Sequence, residues 1–287
     1  VIRYAKPTTV DEALALLGEG SWRILAGGTD FYPAQGAKPF RENILDINGL
    51  AVLSGIAETE DHWVIGARTT WTDFVRHPLP AAFDALKQAA REVGSVQIQN
   101  VASIAGNLCN ASPAADGVPG LLVLDAEVEL RSMAVARRLP LEKFILGNRR
   151  TELRLGEMVT AIRVPKNATT GTSAFVKLGA RRYLVISIAM AAARLSIEDG
   201  IVGNAAVAVG SCSAVAKRLA NVEAALRGVP VGHALATAIQ SAPMDELSPI
   251  GDVRGSAEYR LDAAREIVAR AVLGAAGHMP MEKVAAA

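Results

Sequence analysis

Two glycine-bearing segments about 75 residues apart constrain this chain more than any other feature: Ala26-Gly27-Gly28-Thr29-Asp30 and Ser103-Ile104-Ala105-Gly106-Asn107. Each adjoins an apolar run that reads as a buried element. Glycine lets backbone N–H groups approach an anion with no Cβ in the way, and Thr29, Asp30, Ser103 and Asn107 add short side chains able to hydrogen-bond phosphate or ribose oxygens. One such segment alone is more simply a tight turn or an Asx-type cap. Two beside buried elements point to a diphosphate cradle. No G-x-G-x-x-G follows a strand and no G-x-x-x-x-G-K-[ST] occurs, so this is neither the Rossmann fingerprint nor a P-loop.

The 287 residues, 51% of them hydrophobic, suffice for two cores. A formal charge of +1, with charges interspersed, gives no electrostatic reason to expect nucleic acid or an anionic membrane surface as partner. The longest apolar stretch, residues 184–193, contains Ser187 and stops at Arg194, short of the roughly 18–20 residues of a membrane span. The first residues lack the pattern of a secretory signal, so the cytoplasm is the expected compartment. Cys109 and Cys212 are far apart, without a nearby Cys or His at ligand spacing. Iron–sulfur clusters normally take four thiolates, so any such centre coupled to this chain must sit on another polypeptide.

The first fifty residues read as strand (2–5), helix (10–17, with Thr9 as cap), strand (22–26) and a further short run at 43–47. Residues 52–56 and 62–67 resemble paired strands around a polar turn. Helices are expected at 72–76 and 80–93, and the polar segment 95–113 reads as a long functional loop. A buried helix at 116–124 precedes strands at 128–131, 135–139 and 158–164, and 166–171 is a linker. Beyond it, 174–178, 187–197 and 201–209 suggest a three-stranded antiparallel sheet with a hairpin at Glu198-Asp199-Gly200. Helices at 215–226, 232–240 and 256–273 cover it, and the alanine-rich tail 284–287 reads as frayed. The fold class is α+β, divided into residues 1–167 (lobes of about 1–55 and 56–167) and 168–287.

Other chemistry is sparse. His62, His77, His233 and His278 lie at no metal-ligand spacing. Ser211-Cys212-Ser213 follows a strand but lacks an identifiable base, which leaves a turn. Asp116, where the polar segment meets an apolar helix, is either an N-cap or a ligand to a cofactor hydroxyl. Lys177, inside an apolar strand with Arg181-Arg182-Tyr183 just beyond, either alternates out to solvent or contacts a cofactor.

The run Ile24 to Asp30 and the run Ser103-Ile104-Ala105-Gly106-Asn107-Leu108-Cys109-Asn110-Ala111-Ser112-Pro113-Ala114-Ala115-Asp116 together resemble the FAD-binding subunit of molybdenum hydroxylases, the group of xanthine and carbon monoxide dehydrogenase. Residues 158–165, Phe175-Val176-Lys177 with Arg181-Arg182, and Ser256-Ala257-Glu258-Tyr259-Arg260 follow in the same order, so the likeness spans nearly the whole chain. It implies a two-lobed FAD-binding domain of the vanillyl-alcohol oxidase (PCMH) type, with a C-terminal three-stranded sheet and helices like those of the carbon monoxide dehydrogenase flavoprotein. By the same resemblance, Arg23, Ile24, Leu25, Ala26, Gly27, Gly28, Thr29 and Asp30 wrap the pyrophosphate of FAD, and Ala102, Ser103, Ile104, Ala105, Gly106, Asn107 and Asn110 hold it from the other lobe. Asp116 binds a cofactor hydroxyl, and Val159 and Lys177 flank the flavin. One departure stands out: the family usually has two glycines before the Asn, where this chain has Ala105-Gly106.

The resemblance further implies a heterotrimer, doubled into a dimer. A large subunit with the molybdenum cofactor hydroxylates a substrate, a small [2Fe–2S] subunit relays electrons, and FAD on this chain passes them to NAD, oxygen or another acceptor. No catalytic residue is expected here. The competing readings are a self-contained flavin oxidoreductase of the same fold, and a non-enzymatic scaffold whose glycine segments are only turns.

Overall fold

A computed structural model describes residues 2–277, and His278 and the tail 284–287 lie outside them. Lobe one is a small parallel sheet: β1 (Tyr4–Ala5), α1 (Val10–Glu19), β2 (Trp22–Leu25), α2 (Phe31–Gln35) and β3 (Asn43–Asp46), in the order β1-β3-β2. Thr9 caps α1 through its side chain, as its sequence suggests. Ala13, Leu14 and Leu17 of α1 pack with Leu45, Ile47, Leu50 and Met158 into a separate small core.

Lobe two is built on an antiparallel sheet, β4-β5-β10-β6-β7, of β4 (Ile56–Glu58), β5 (His62–Gly66), β6 (Glu127–Arg131), β7 (Ala136–Pro140) and β10 (Met158–Pro165). Between β5 and β6 run α3 (Trp71–Arg76), α4 (Asp84–Glu92), α5 (Val96–Gln99), α6 (Ile104–Asn110) and α7 (Gly117–Leu122). A short helix α8 (Leu141–Phe144) and the pair β8 (Ile145–Gly147) and β9 (Arg150–Thr151) precede β10.

The C-terminal unit has four strands rather than three: β11 (Thr172–Leu178), β12 (Ala189–Glu198), β13 (Ile201–Gly210) and β14 (Lys217–Arg218). The helix expected at 215–226 therefore begins late, as α9 (Ala220–Leu226), because residues 217 and 218 pair with Val209 and Ala208. α10 (His233–Ser241) and α11 (Ala257–Ala275, capped by Ser256) follow.

Two further expectations need correction. No strand spans 52–56: Ala51–Leu53 form a 3-10 turn that buries Leu53, and β4 starts at Ile56. The polar segment 95–113 is not an open loop, since Ser95 and Ser103 each accept an N–H of the turn they start and so nucleate α5 and α6.

The alanine-rich strand β12 is buried on both faces. Met190 and Ala192 belong to the core shared with lobe two, while Ala189, Ala191 and Ala193 face the core under α11. Small side chains let the sheet approach layers on either side closely, which explains an unbroken apolar run too short for a membrane; among the described residues no helix is long and apolar enough to cross one. Polar groups complete this join. Ser173 of β11 accepts from Ala85 N at 2.8 Å, Gln88 of α4 accepts from Phe175 N at 2.7 Å, and Arg194 and Arg218 donate to the Val123 and Leu122 carbonyls at the C-terminal end of α7 at 2.8 and 3.0 Å. Cations at a helix C-terminus meet its exposed carbonyls and the negative end of its dipole. Ala192→Leu, which forces a larger side chain between the layers, should lower stability by about 1–3 kcal/mol in urea denaturation, whereas the same change at exposed Glu198 should move the midpoint little.

Candidate functional site: a cleft between the two lobes

The turn after β2 is shaped by its glycines. Gly28 has φ +75°, and a Cβ there would lie 2.7 Å from the Tyr32 ring. Gly27 is more restrictive: a Cβ would fall 1.9 Å from the Val101 carbonyl oxygen of lobe two. Backbone thus lies on backbone across the lobe boundary, and no other residue fits. Asn48, just after β3, fixes the turn by donating to the Ala26 carbonyl at 2.8 Å while also bonding Asp46. Among the described residues, Gly27 and Thr29 make no hydrogen bond of their own, which leaves their amides free for a ligand.

Lobe two meets this turn with two stitched connections. Thr70 and Ser103 form an isolated antiparallel bridge, with Trp71 N donating to Ala102 O at 3.1 Å and Ile104 N to Thr69 O at 3.1 Å. Between the lobes lies a cleft of about 280 Å³. Of the residues singled out from sequence, Ala26, Gly27 and Ser103 line it. Asn100 and Val101, within the segment 95–113, also line it, and so do Asn48, Arg68 and Thr70, which nothing in the sequence singles out. Its volume lies near the low end of small-molecule sites, about 300–1,000 Å³, so it holds part of a dinucleotide rather than the whole.

The second segment is not an open loop offering amides, because those of Ile104, Gly106 and Asn107 already bond Thr69 O, Ser103 Oγ and Ser103 O. It is the capped first turn of α6. Ala105 is buried and lacks a positive φ, so its methyl enters the core and leaves the cleft alone. Ile104 and Ala102 are likewise buried. Arg23, Ile24 and Leu25 form β2 and do not line the cleft; the Arg23 guanidinium turns to Gln35 at 3.0 Å and stacks over Phe31. Asp30, exposed, precedes α2 without a capping bond, and Val159 packs in the core of lobe two.

One helical turn beyond Ser103, α6 leads to a second polar cluster. A Cβ on Gly117 would meet the Trp71 ring at 2.4 Å and Asn107 Oδ1 at 3.2 Å, and both Asn107 Oδ1 and Trp71 Nε1 are buried without a partner. Next to Gly117, Asp116 does not cap α7. Its carboxylate bonds Lys177 Nζ at 2.7 Å and Ser187 Oγ at 2.8 Å across the junction with the C-terminal unit, and Lys177 also donates to Glu92 O at 3.4 Å. Burial pushes the Asp116 carboxyl above the usual range, against the pull of Lys177 and Ser187. Lys177 is therefore not a solvent-facing alternate of its strand. Asn110 is half-buried at the end of α6.

Both cysteines are free, and burial pushes the Cys212 thiol up to about 11. Among the described residues no group of His, Cys, Asp and Glu could hold a metal ion. Ser211 sits in a left-handed turn at φ +63° between β13 and β14, and among the described residues its buried Oγ has no hydrogen-bond partner.

A family profile described as the FAD binding domain in molybdopterin dehydrogenase matches residues 1–167, and one described as the CO dehydrogenase flavoprotein C-terminal domain matches residues 174–275. The chain belongs to this family of FAD-binding oxidoreductase subunits. It is 28% identical to the xanthine dehydrogenase FAD-binding subunit of Escherichia coli O157:H7, over 96% of this chain and 98% of that one. The carbon monoxide dehydrogenase medium chain of Hydrogenophaga pseudoflava is 29% identical over 94% and 95% of the two chains. A solved structure of carbon monoxide dehydrogenase from Hydrogenophaga pseudoflava, lacking the Mo-pyranopterin moiety of its cofactor, superposes with a TM-score of 0.86 at 30% identity, covering 97% of this flavoprotein and 98% of that chain.

The buried Asp116–Lys177 pair makes a prediction about the flavoprotein without its cofactor. Lys177→Met leaves a buried carboxylate unpaired and should cost about 3–5 kcal/mol in urea denaturation at neutral pH. A carboxyl whose folded pKa is raised opposes the native state increasingly as pH climbs from its ordinary value to the folded one, and not at all below both. The variant should therefore regain stability as pH falls toward the ordinary carboxylate range; a loss independent of pH contradicts the assignment.

Proposed function

We propose that this chain is the FAD-carrying electron-transfer subunit of a heterotrimeric molybdenum hydroxylase, working in the cytoplasm as part of a dimer of heterotrimers. It takes electrons from a small [2Fe–2S] subunit and passes them to NAD, oxygen or another acceptor, while a large subunit carrying the molybdenum cofactor hydroxylates the substrate. The observation that carries this reading is the contact of Gly27 with Val101, which joins a turn with free amides to a polar cleft in a chain of this family. Two cysteines cannot ligate a cluster, which leaves that role to another chain.

The residues fit the cofactor. The unbonded amides of Gly27 and Thr29, together with the orphaned Asn107 Oδ1 and Trp71 Nε1, suit a ligand that brings both phosphate acceptors and hydroxyl donors. Gly27, Gly28 and Thr29 would hold the diphosphate from lobe one, with Asn48 fixing their turn. Ser103 would face it from lobe two, with Asn107 and Asn110 further along α6 toward the rest of the dinucleotide. Asp116 would accept from a cofactor hydroxyl while staying oriented by Lys177 and Ser187, and Lys177 would set a positive charge near the ring. Bound FAD supplies the exchange of two electrons on one side and one on the other, so the chain needs no acid–base pair of its own. Its task is to position the ring, exclude water and keep the Asp116–Lys177 charges fixed.

The chain refolded or expressed with excess FAD should be yellow and gain thermal stability in proportion to ligand concentration. Gly27→Ala should abolish flavin retention, because the added methyl collides with backbone that cannot step aside. Full occupancy in that variant, or no flavin in the unaltered chain, contradicts the reading. For the assembly, affinity purification from its native host should bring down a molybdenum-containing large chain and a small iron–sulfur chain. A flavoprotein that turns over substrate alone contradicts it.

A further inference from the structure

A diphosphate brings two negative charges into the cleft, and among the described residues only one charged side chain lines it. Arg68 stands between β5 and α3, while its polar neighbours in the cleft, Asn48, Thr70, Asn100 and Ser103, are uncharged. Most arginines of this chain that are half-buried or deeper meet an acid: Arg23 meets Glu42, Arg137 Glu157 and Arg163 Glu129. Among the described residues Arg68 meets none. Its Nη1 donates to the Leu50 carbonyl at 3.0 Å and its own amide to Leu53 O at 2.8 Å, so the side chain is anchored from lobe one although it belongs to lobe two. Its Nε is shut off from water with no acceptor.

A half-buried guanidinium held in place, without a counter-anion and with a donor unsatisfied, is a site arranged for an anion, since an unmade bond to a charged group is costly. Its fork of N–H groups matches phosphate oxygens in geometry. Gly27, whose amide makes no hydrogen bond, lines the same cleft, so a free backbone N–H and the cation border one cavity.

We propose that Arg68 is the counter-cation of the dinucleotide's diphosphate, and that it makes this site favour a phosphorylated ligand over the corresponding nucleoside. The assignment rests on the FAD reading above and adds the one charge that reading leaves open. It differs from a purely structural role, in which Arg68 would serve only to bind the Leu50 carbonyl, in making affinity depend on ionic strength.

The test is FAD titration of the full chain at low and high NaCl, by flavin fluorescence, with ADP and adenosine as competitors. In the unaltered chain FAD affinity should fall as salt rises, and ADP should compete where adenosine does not. Arg68→Met should weaken FAD about tenfold or more and flatten the salt dependence. Arg68→Lys, which keeps the charge and loses the fork, should retain the salt dependence with a smaller loss. Unchanged affinity in Arg68→Met, or a loss that leaves the salt dependence intact, overturns the assignment while the FAD reading stands. If Arg68→Met does not fold, salt-independent FAD binding by the unaltered chain or by Arg68→Lys overturns it equally. Absence of FAD binding by the unaltered chain overturns the reading beneath it, and this assignment with it.

Discussion

Backbone meeting backbone at Gly27 and Val101 is the constraint on which the rest of the site depends. Two lobes with separate cores are joined here at a distance that excludes even a methyl group. Because the approach is so close, the turn after β2 and the connection before α6 enclose one cleft instead of presenting two unrelated surfaces. Asn48 and the Thr70–Ser103 bridge then hold each wall in shape with ordinary hydrogen bonds, each worth roughly 1 kcal/mol. What the glycine supplies is room rather than flexibility.

The C-terminal unit extends that arrangement. β12 is buried on both faces, and Arg194 and Arg218 tie its sheet to the end of α7, so Lys177 and Ser187 reach Asp116 from a rigid partner layer. α6 connects the two clusters, with Ser103 at the cleft and Asn107 beside Gly117. Ser103 and Asn107 would hold a dinucleotide from these two points of the helix. Among the described residues the chain therefore provides one end with free amides and one cation, Arg68, and a second end with a buried ion pair.

Much of the fold was legible because its patterns are long or locally specified. β5, β6, β10 and the β12–β13 hairpin announce themselves by alternation, apolar runs and the Asp199-Gly200 turn, and Thr9 and Ser256 mark helix starts through their capping side chains. The errors fall where elements are short. α5 and α6 have too few residues for a repeating apolar face, so in sequence the serines that nucleate them look like loop polarity, and the two residues of β14 carry no pattern at all. The site was half legible. Gly27, Gly28, Ser103, Asp116 and Lys177 stand out by type, whereas Arg68 and Asn48 are single residues in connections, and their importance comes only from what the folded chain places opposite them. The pairing of Asp116 with Lys177, 61 residues apart, is of the same kind.

The most direct measurement of the central claim is amide hydrogen exchange of the full chain with and without FAD. If both lobes contribute to one dinucleotide site, exchange should slow together in residues 26–29 and 100–107 as FAD saturates, with the remainder of each lobe changing less. Protection of only one of these segments, or of neither while flavin is demonstrably bound, would contradict the account.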